Sequence, residues 1–85
     1  MGAPRVLVYV SDWCGYCARV RRLLDGKGVI YQEIDIESVP GAREEMLARS
    51  GRSTVPQVFI GGQHVGGCAE LHDLEADGRL DPMLK

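Results

Sequence analysis

The hydrophobic and polar positions of the first 36 residues predict a strand, a helix and a second strand. Val6–Val10 is a β-branched and aromatic-rich run without Gly or Pro, which predicts a buried strand. A helix is predicted from Cys14 onward, and the turn-forming residues 25–28 (DGKG) end it. Its apolar face consists of Cys17, Val20 and Leu24. The second predicted strand is Val29–Ile36, whose alternation places Ile30 on the same side as the other isoleucines.

The middle of the chain predicts a second helix and a β-hairpin. Pro40 and Gly41 open the helix, and Gly51 is its expected stop. The apolar stripe of this helix is Ala42, Met46 and Leu47. The run Gln57–Ile60 predicts a strand, and the two glycines after it predict a tight turn into a short strand over residues 63–65.

The last part of the chain predicts a third helix over Cys68–Asp77, with Gly78 at its end. A final helical turn is expected with Asp81 as its cap and Pro82 at its first position. The element order is therefore βαβαββα. Two strands joined through a helix pair in parallel with a right-handed crossover, and the hairpin adds antiparallel strands. The predicted fold class is α/β, a four-stranded mixed sheet flanked by helices, in one small domain spanning residues 1–85.

Composition and charge exclude several classes of function. The chain has 85 residues, a net charge of −2 and a pI of about 5.6, so no basic surface favours nucleic acid. The apolar run at Val6–Val10 is far too short for a membrane span. The first ten residues lack the pattern of a signal peptide, so the expected compartment is the cytoplasm.

The segment WCGYC contains the candidate chemistry. Cys14 follows a strand and a polar loop at the predicted start of a helix, where free N–H groups and the helix dipole stabilise a thiolate. Cys17 lies about one turn further along, on the face expected to be covered. The thiolate is the attacking species in thiol–disulfide exchange. The spacing therefore predicts that Cys14 attacks and that Cys17 resolves the resulting mixed disulfide.

A structural disulfide and a zinc site are the alternatives for this pair. Three cysteines do not complete a disulfide framework, and a reducing compartment disfavours a static bridge. Zinc would need four ligands from Cys14, Cys17, His64, Cys68 and His72. No second Cys-x-x-Cys or His knuckle is present, so redox chemistry is favoured over zinc. The two histidines are interpreted as surface residues of a strand and a helix.

Two further motifs accompany the cysteines. Pro56, in TVPQVFI, cannot donate to a ladder and should begin its strand or lie at a sheet edge. Gly66 and Gly67 precede the third helix in GGCAEL, where they allow a ligand close to the backbone and where a helix N-terminus would bind a carboxylate. Either motif alone is compatible with a plain turn, and Cys68 with a small buried residue.

Taken together, WCGYC, TVPQVFI and GGCAEL resemble a glutaredoxin of the dithiol class, with a CGYC active site, in the thioredoxin superfamily. The resemblance covers nearly the whole chain. It implies a thioredoxin fold with a cis bond before Pro56. It also implies a glutathione-dependent thiol–disulfide oxidoreductase that reduces protein disulfides and glutathione mixed disulfides. Its partners would be glutathione and disulfide-containing or glutathionylated proteins, and it would act as a monomer.

The resemblance also distributes the parts of glutathione over the chain. Cys14 would form the mixed disulfide. The backbone of Val55, after Thr54, would pair with the central residue of glutathione. The remaining implied contacts are Tyr16 and Pro56 at the flanks, the N–H groups of Cys68 and Ala69 after Gly67 for the γ-glutamyl carboxylate, Glu70 for the amino group, and Arg43 for the glycine carboxylate.

Three positions depart from the family pattern. Ser11 replaces a frequent Lys, Ala69-Glu70 replaces a polar residue followed by Asp, and Gly15 replaces a frequent Pro. Some glutaredoxins with Gly or Ser at that position, and with Trp before the first Cys, bridge a [2Fe–2S] cluster between two subunits. The alternative function is therefore a glutathione-ligated dimer carrying a [2Fe–2S] cluster, with Cys14 as the metal ligand.

Overall fold

The structure is a computed structural model that describes residues 2–12 and 14–85. Trp13, which contributed to the cluster hypothesis, lies outside the described residues. The elements in chain order are β1 (Val6–Val10), α1 (Gly15–Gly26), β2 (Gln32–Asp35), α2 (Ala42–Ser50), β3 (Gln57–Ile60), β4 (Gln63–Gly66), α3 (Cys68–Ala76) and α4 (Leu80–Met83). Among the helices of these residues, none is both long and apolar enough to cross a bilayer.

The four strands form one mixed sheet in the order β2-β1-β3-β4. β1 pairs with β2 in parallel, with Val8 opposite Glu33, and with β3 in antiparallel orientation, with Val8 opposite Val58. β3 and β4 form the predicted hairpin across Gly61 and Gly62, whose positive φ values of 60° and 82° suit a tight two-residue turn. The predicted mixed sheet is confirmed, with β1 and β3 at its centre.

The core lies on both faces of the sheet because successive residues of β1 point to opposite sides. Val8 packs on one face with Val20 and Leu24 of α1 and with Leu71 of α3. On the other face, Tyr9 packs with Phe59 of β3 and with Ala42 and Met46 of α2. β1 is thus covered by helices on both sides, as its continuous apolar run predicted.

The second strand is shorter than predicted, and Ile30, predicted to share a side with Ile34 and Ile36, lies outside it and is 94% exposed. β1 begins at Val6, and its pairing with β2 starts only at Leu7 opposite Gln32. In this register Ile30 lies opposite Arg5, before the start of β1, so it has no strand residue with which to extend the ladder. Alternation of apolar residues predicted a strand there, but the sheet supplies no partner.

Two further predictions of local structure were wrong. Leu47 is half exposed, because α2 contacts the sheet through Ala42 and Met46, which lie four residues apart on one stripe. At the end of the chain, α4 begins at Leu80, so Asp81 is not its cap and Pro82 is not its first residue. Pro is accepted in a first turn because N–H groups there have no intrahelical partner.

The two adjacent apolar residues of α2 give a matched test of this packing. Met46→Ala should lower the free energy of unfolding by about 2–5 kcal/mol, since it leaves a cavity beneath the sheet. Leu47→Ala should change it by about 0.5 kcal/mol or less, as is usual at the surface. Urea unfolding followed by circular dichroism measures both. Equal losses in the two variants would contradict the packing of α2.

Candidate functional site

Cys14 lies at the amino end of α1 and forms its N-cap, with φ −103° and ψ 111°. Its sulfur accepts a hydrogen bond from the backbone N–H of Cys17, with the N and Sγ atoms 3.3 Å apart. Ser, Asp or Asn usually provides the acceptor at this position. Here a sulfur takes that place, at the positive end of the helix dipole, so negative charge on the Cys14 sulfur is stabilised.

Cys17 lies one turn further along the same helix and is fully buried in the core beneath the sheet. Burial, together with the hydrogen bond to Cys14, raises the pKa of the Cys17 thiol from 9.0 to about 12. At neutral pH this thiol therefore carries its proton. The two cysteines share one helix but have opposite environments, one half-exposed at the N-terminus and one enclosed.

The segment before β3 approaches Cys14 from the other side. The peptide bond between Val55 and Pro56 is cis, as the resemblance implied. The Cys14 thiol donates to the Val55 carbonyl oxygen across 3.5 Å. Two residues 41 positions apart in the sequence are thus in contact, and the Cys14 sulfur lies between the amino end of α1 and the backbone of Val55.

A buried polar chain supports this segment from behind. Gln57 is almost completely buried, and its Nε2 donates to the Thr54 carbonyl oxygen at 2.9 Å. Its Oε1 is 2.7 Å from Nε2 of His64 on β4, which therefore donates. The sequence had suggested that His64 is a surface residue of its strand, but the structure shows it half-buried. Neither contact was predicted, because no sequence pattern indicates which partner a lone Gln or His will meet.

An open groove of about 410 Å³ runs past this segment to the start of α3. Its lining residues are Tyr16, Arg52, Thr54, Val55, Pro56, Gln57, Gly67, Cys68, Ala69 and Glu70. Eight of these were predicted as binding residues from the sequence, while Arg52 and Gln57 were not. Arg52 lies two positions before Thr54. Its position as a cation beside TVPQVFI was the only feature of the sequence that could have indicated a binding residue there.

Arg43 is the predicted binding residue that does not line the groove. It lies on the exposed side of α2, next to Ala42, and its contact with a ligand stays a prediction. Cys14 contacts the rim of the groove through Val55, and Cys17 lies behind it. Tyr16 is 61% exposed at the mouth of the groove, where an aromatic ring is free to contact a ligand.

The start of α3 forms the far end of the groove. Gly67 is the N-cap, and Oε1 of Glu70 accepts its N–H at 2.6 Å. The same oxygen lies 2.7 Å from Nη1 of Arg52, which donates to it. The Gly67 N–H and then the Arg52 guanidinium lower the pKa of the Glu70 carboxyl, so Glu70 is ionised at neutral pH.

Cys68, the first residue of α3, is buried with its sulfur 3.4 Å from Nδ1 of His72. That nitrogen is also 2.9 Å from the Cys68 carbonyl oxygen, one helical turn below. His72 is half-buried rather than a free surface residue. The side chain of Cys68 therefore packs within α3, while its backbone belongs to the groove.

A larger cleft, of about 920 Å³, lies between the N-terminal segment and residues 27–32. Its lining includes Lys27, which is paired with Asp81 and Glu75. None of the three cysteines borders this cleft, so size alone does not identify the site. Among the described residues, no three or more His, Cys, Asp or Glu side chains are grouped as possible metal ligands.

Comparisons with known proteins agree on one family. A family model described as Glutaredoxin matches residues 6–65. Glutaredoxin 3 of Escherichia coli K12 is 52% identical over 80 residues, covering 94% of this chain and 96% of that protein.

Solved structures give the same result. A buckwheat glutaredoxin–glutathione complex superposes with a TM-score of 0.88 at 39% identity, over 95% of this chain and 76% of that one. The holo form of glutaredoxin C1 from Populus tremula x tremuloides superposes with a TM-score of 0.86 at 32% identity, over 96% and 77%.

Proposed function

Since the chain belongs to the glutaredoxin family of thiol–disulfide oxidoreductases and has the predicted thioredoxin fold, we propose that it reduces protein disulfides and glutathione mixed disulfides with glutathione as electron donor. One observation carries the proposal. The Cys14 sulfur lies at a helix N-terminus, between the N–H of Cys17 and the carbonyl of Val55, beside an open groove of about 410 Å³. The Cys17 N–H and the helix N-terminus favour a thiolate, and the adjacent backbone of Val55 can pair with a substrate.

With a glutathionylated protein, the Cys14 thiolate attacks the glutathione sulfur. The disulfide of the substrate breaks, its protein thiolate leaves and takes a proton from water, and glutathione is bound to Cys14. A second glutathione, as its thiolate, then attacks the sulfur of the bound glutathione. Oxidised glutathione leaves, and the Cys14 thiolate is restored. This sequence uses one cysteine of the chain.

With a protein disulfide, Cys14 attacks one sulfur, the substrate S–S bond breaks, and a mixed disulfide forms while the first substrate thiolate leaves and takes a proton from water. Cys17 then attacks the Cys14 sulfur, and the second substrate sulfur leaves as a thiol with the proton that Cys17 gives up. The product is a Cys14–Cys17 disulfide, which two glutathione molecules reduce in turn. Burial raises the pKa of Cys17, so this thiol stays protonated and unreactive until the Cys14 sulfur becomes an electrophile one turn away.

The groove supports a defined orientation of glutathione. Its central residue pairs with the backbone of Val55, with Tyr16 and Pro56 at the flanks. Its γ-glutamyl carboxylate lies on the free N–H groups at the start of α3, which Cys68 and Ala69 provide. The other proposed contacts are Thr54, Gly67 and Glu70 along the groove, with Arg52 in its lining as a cation for a carboxylate. Arg43, which lies outside the lining, stays a predicted contact for the glycine carboxylate.

The proposal places the protein in a reducing compartment, the cytoplasm, where a free dithiol persists. Cys14 and Cys17 are both unpaired in the structure, as the reduced form requires. The chemistry of this site needs no second subunit, so the oxidoreductase is proposed to act as a monomer. Its partners are glutathione and the proteins whose disulfides or mixed disulfides it reduces.

A second proposed function is the [2Fe–2S] role. A Cβ at Gly15 would meet no atom of the described residues within 4 Å, and the φ of Gly15 is not left-handed, so neither these neighbours nor the backbone require glycine at this first position of α1. Proline suits such a position, yet it would remove an N–H beside the ligand sulfur. Cys14 of each of two subunits and two glutathione sulfurs would hold the cluster, and iron–sulfur chemistry would come from the cluster itself.

Replacing each cysteine of the pair tests the assignment of roles. Cys14→Ser should abolish reduction of a glutathionylated peptide, because it removes the attacking sulfur. Cys17→Ser, a matched substitution one turn away, should keep most of that activity and lose reduction of protein disulfides. A glutathione-coupled assay measures both. If the two variants are equally inactive on the glutathionylated peptide, the assignment is wrong.

Anaerobic reconstitution with iron, sulfide and glutathione tests the cluster role. The wild-type protein should form a coloured dimer in part, and Cys17→Ser should form it as well, because glutathione supplies the other sulfur. Gly15→Pro should reduce the cluster yield while retaining disulfide reduction. Visible absorbance and sedimentation are the measurements. A colourless wild-type monomer would exclude the cluster role and leave the oxidoreductase proposal intact.

A further inference from the structure

A chain of two hydrogen bonds runs from β4 to the backbone at the wall of the groove. The buried Gln57 places its Nε2 atom 2.9 Å from the Thr54 carbonyl oxygen and its Oε1 atom 2.7 Å from Nε2 of His64. A carbonyl oxygen only accepts, so the amide nitrogen of Gln57 must face Thr54 and its oxygen must face His64. The proton of this second hydrogen bond therefore comes from Nε2 of His64.

The carbonyl of Thr54 belongs to the same peptide unit as the N–H of Val55. This peptide unit is trans, and a trans peptide is planar with its carbonyl and its N–H pointing in opposite directions. The hydrogen bond that holds the Thr54 carbonyl towards Gln57 thus turns the Val55 N–H away from Gln57. Val55 is the residue whose backbone pairs with the central residue of glutathione in the proposed function.

We propose that His64 is a positioning residue for substrate binding: through Gln57 it holds the peptide unit between Thr54 and Val55 in the orientation that pairs with a substrate. The inference rests on the proposed function, because the pairing of Val55 with glutathione is part of it. His64 does not line the groove, whereas Gln57, Thr54 and Val55 do. Its effect on binding therefore passes through Gln57.

The imidazole of His64 is itself held in place. His64 lies opposite Phe59 in the hairpin, with the two ring centroids 5.0 Å apart and the rings tilted by 41°. Burial, followed by the charge of Arg52, lowers the pKa of His64, so the ring is neutral at neutral pH with its proton on Nε2. Loss of this donor would leave the buried Oε1 of Gln57 without its partner, which favours rotation of the amide away from Thr54.

Two substitutions at His64 separate the donor from the ring. His64→Gln supplies an amide N–H in place of the imidazole N–H but removes the contact with Phe59. His64→Phe keeps an aromatic ring on Phe59 but removes the donor. A glutathione-coupled assay on a glutathionylated peptide measures KM and kcat, and alkylation by iodoacetamide measures the reactivity of Cys14 without any pairing of backbone groups.

His64→Phe should raise KM for the glutathionylated peptide about three- to tenfold, which corresponds to one buried hydrogen bond, and should change kcat less than about twofold. His64→Gln should keep KM within about twofold of the wild-type value. Both variants should be alkylated at the wild-type rate, because the Cys17 N–H and the helix N-terminus stabilise the Cys14 thiolate. A role in packing alone predicts the reverse order of KM, with His64→Phe unaffected.

A double-mutant cycle tests whether His64 acts through Gln57. Gln57→Met removes both polar groups at a similar side-chain length and should raise KM about as much as His64→Phe does. Adding His64→Phe to Gln57→Met should raise KM no further, since the chain is already broken. Gln57→Met also keeps the proposal testable if His64→Phe does not fold, because a wild-type KM in Gln57→Met would refute the role of the chain.

The remaining outcomes are distinct. A wild-type KM in His64→Phe, a KM in His64→Gln as high as in His64→Phe, or effects of His64→Phe and Gln57→Met that multiply in the double variant would each overturn the positioning role of His64. A wild-type protein that does not reduce the glutathionylated peptide would instead refute the proposed function itself.

Discussion

The hydrogen bond from the Cys17 N–H to the Cys14 sulfur is the contact on which the rest of the site depends. It makes a cysteine the N-cap of α1 and thereby fixes the sulfur at the positive end of that helix. The helix can begin there only because β1 ends at Val10, in the middle of a sheet that is packed on both faces. The Cys14 sulfur therefore lies shortly after a central strand of the sheet.

The same helix separates the two thiols by environment. One helical turn separates the half-exposed N-cap, Cys14, from the core face of α1, where burial raises the pKa of Cys17 and keeps its thiol protonated. One thiol can meet a substrate, and the other is protected from it. The proposed order of events in disulfide exchange then follows from position along one helix. The segment Thr54–Pro56, held from behind by Gln57 and His64, adds the backbone against which a substrate can lie.

The sequence predicted the element order because it depends on local and periodic signals, whereas the cis bond before Pro56 was implied by the resemblance to the family. Val6–Val10 could only be a buried strand, and a cysteine after a strand and before a helical pattern could only lie at a helix start. Ile30 and Leu47 were assigned wrongly, since their burial depends on where a neighbouring element ends. The contact of Arg52 with Glu70 joins residues 18 positions apart through a turn at Gly66, and no periodic pattern in the sequence predicts such a contact.

The central claim is that Cys14 takes glutathione directly from a mixed disulfide. Incubating the Cys17→Ser protein with a glutathionylated peptide, quenching with acid and mapping the digest by mass spectrometry tests it most directly. The account predicts one glutathione, attached to Cys14, with Cys68 unmodified because it is buried within α3. Attachment at Cys68, or no attachment while the peptide is still reduced, would contradict it.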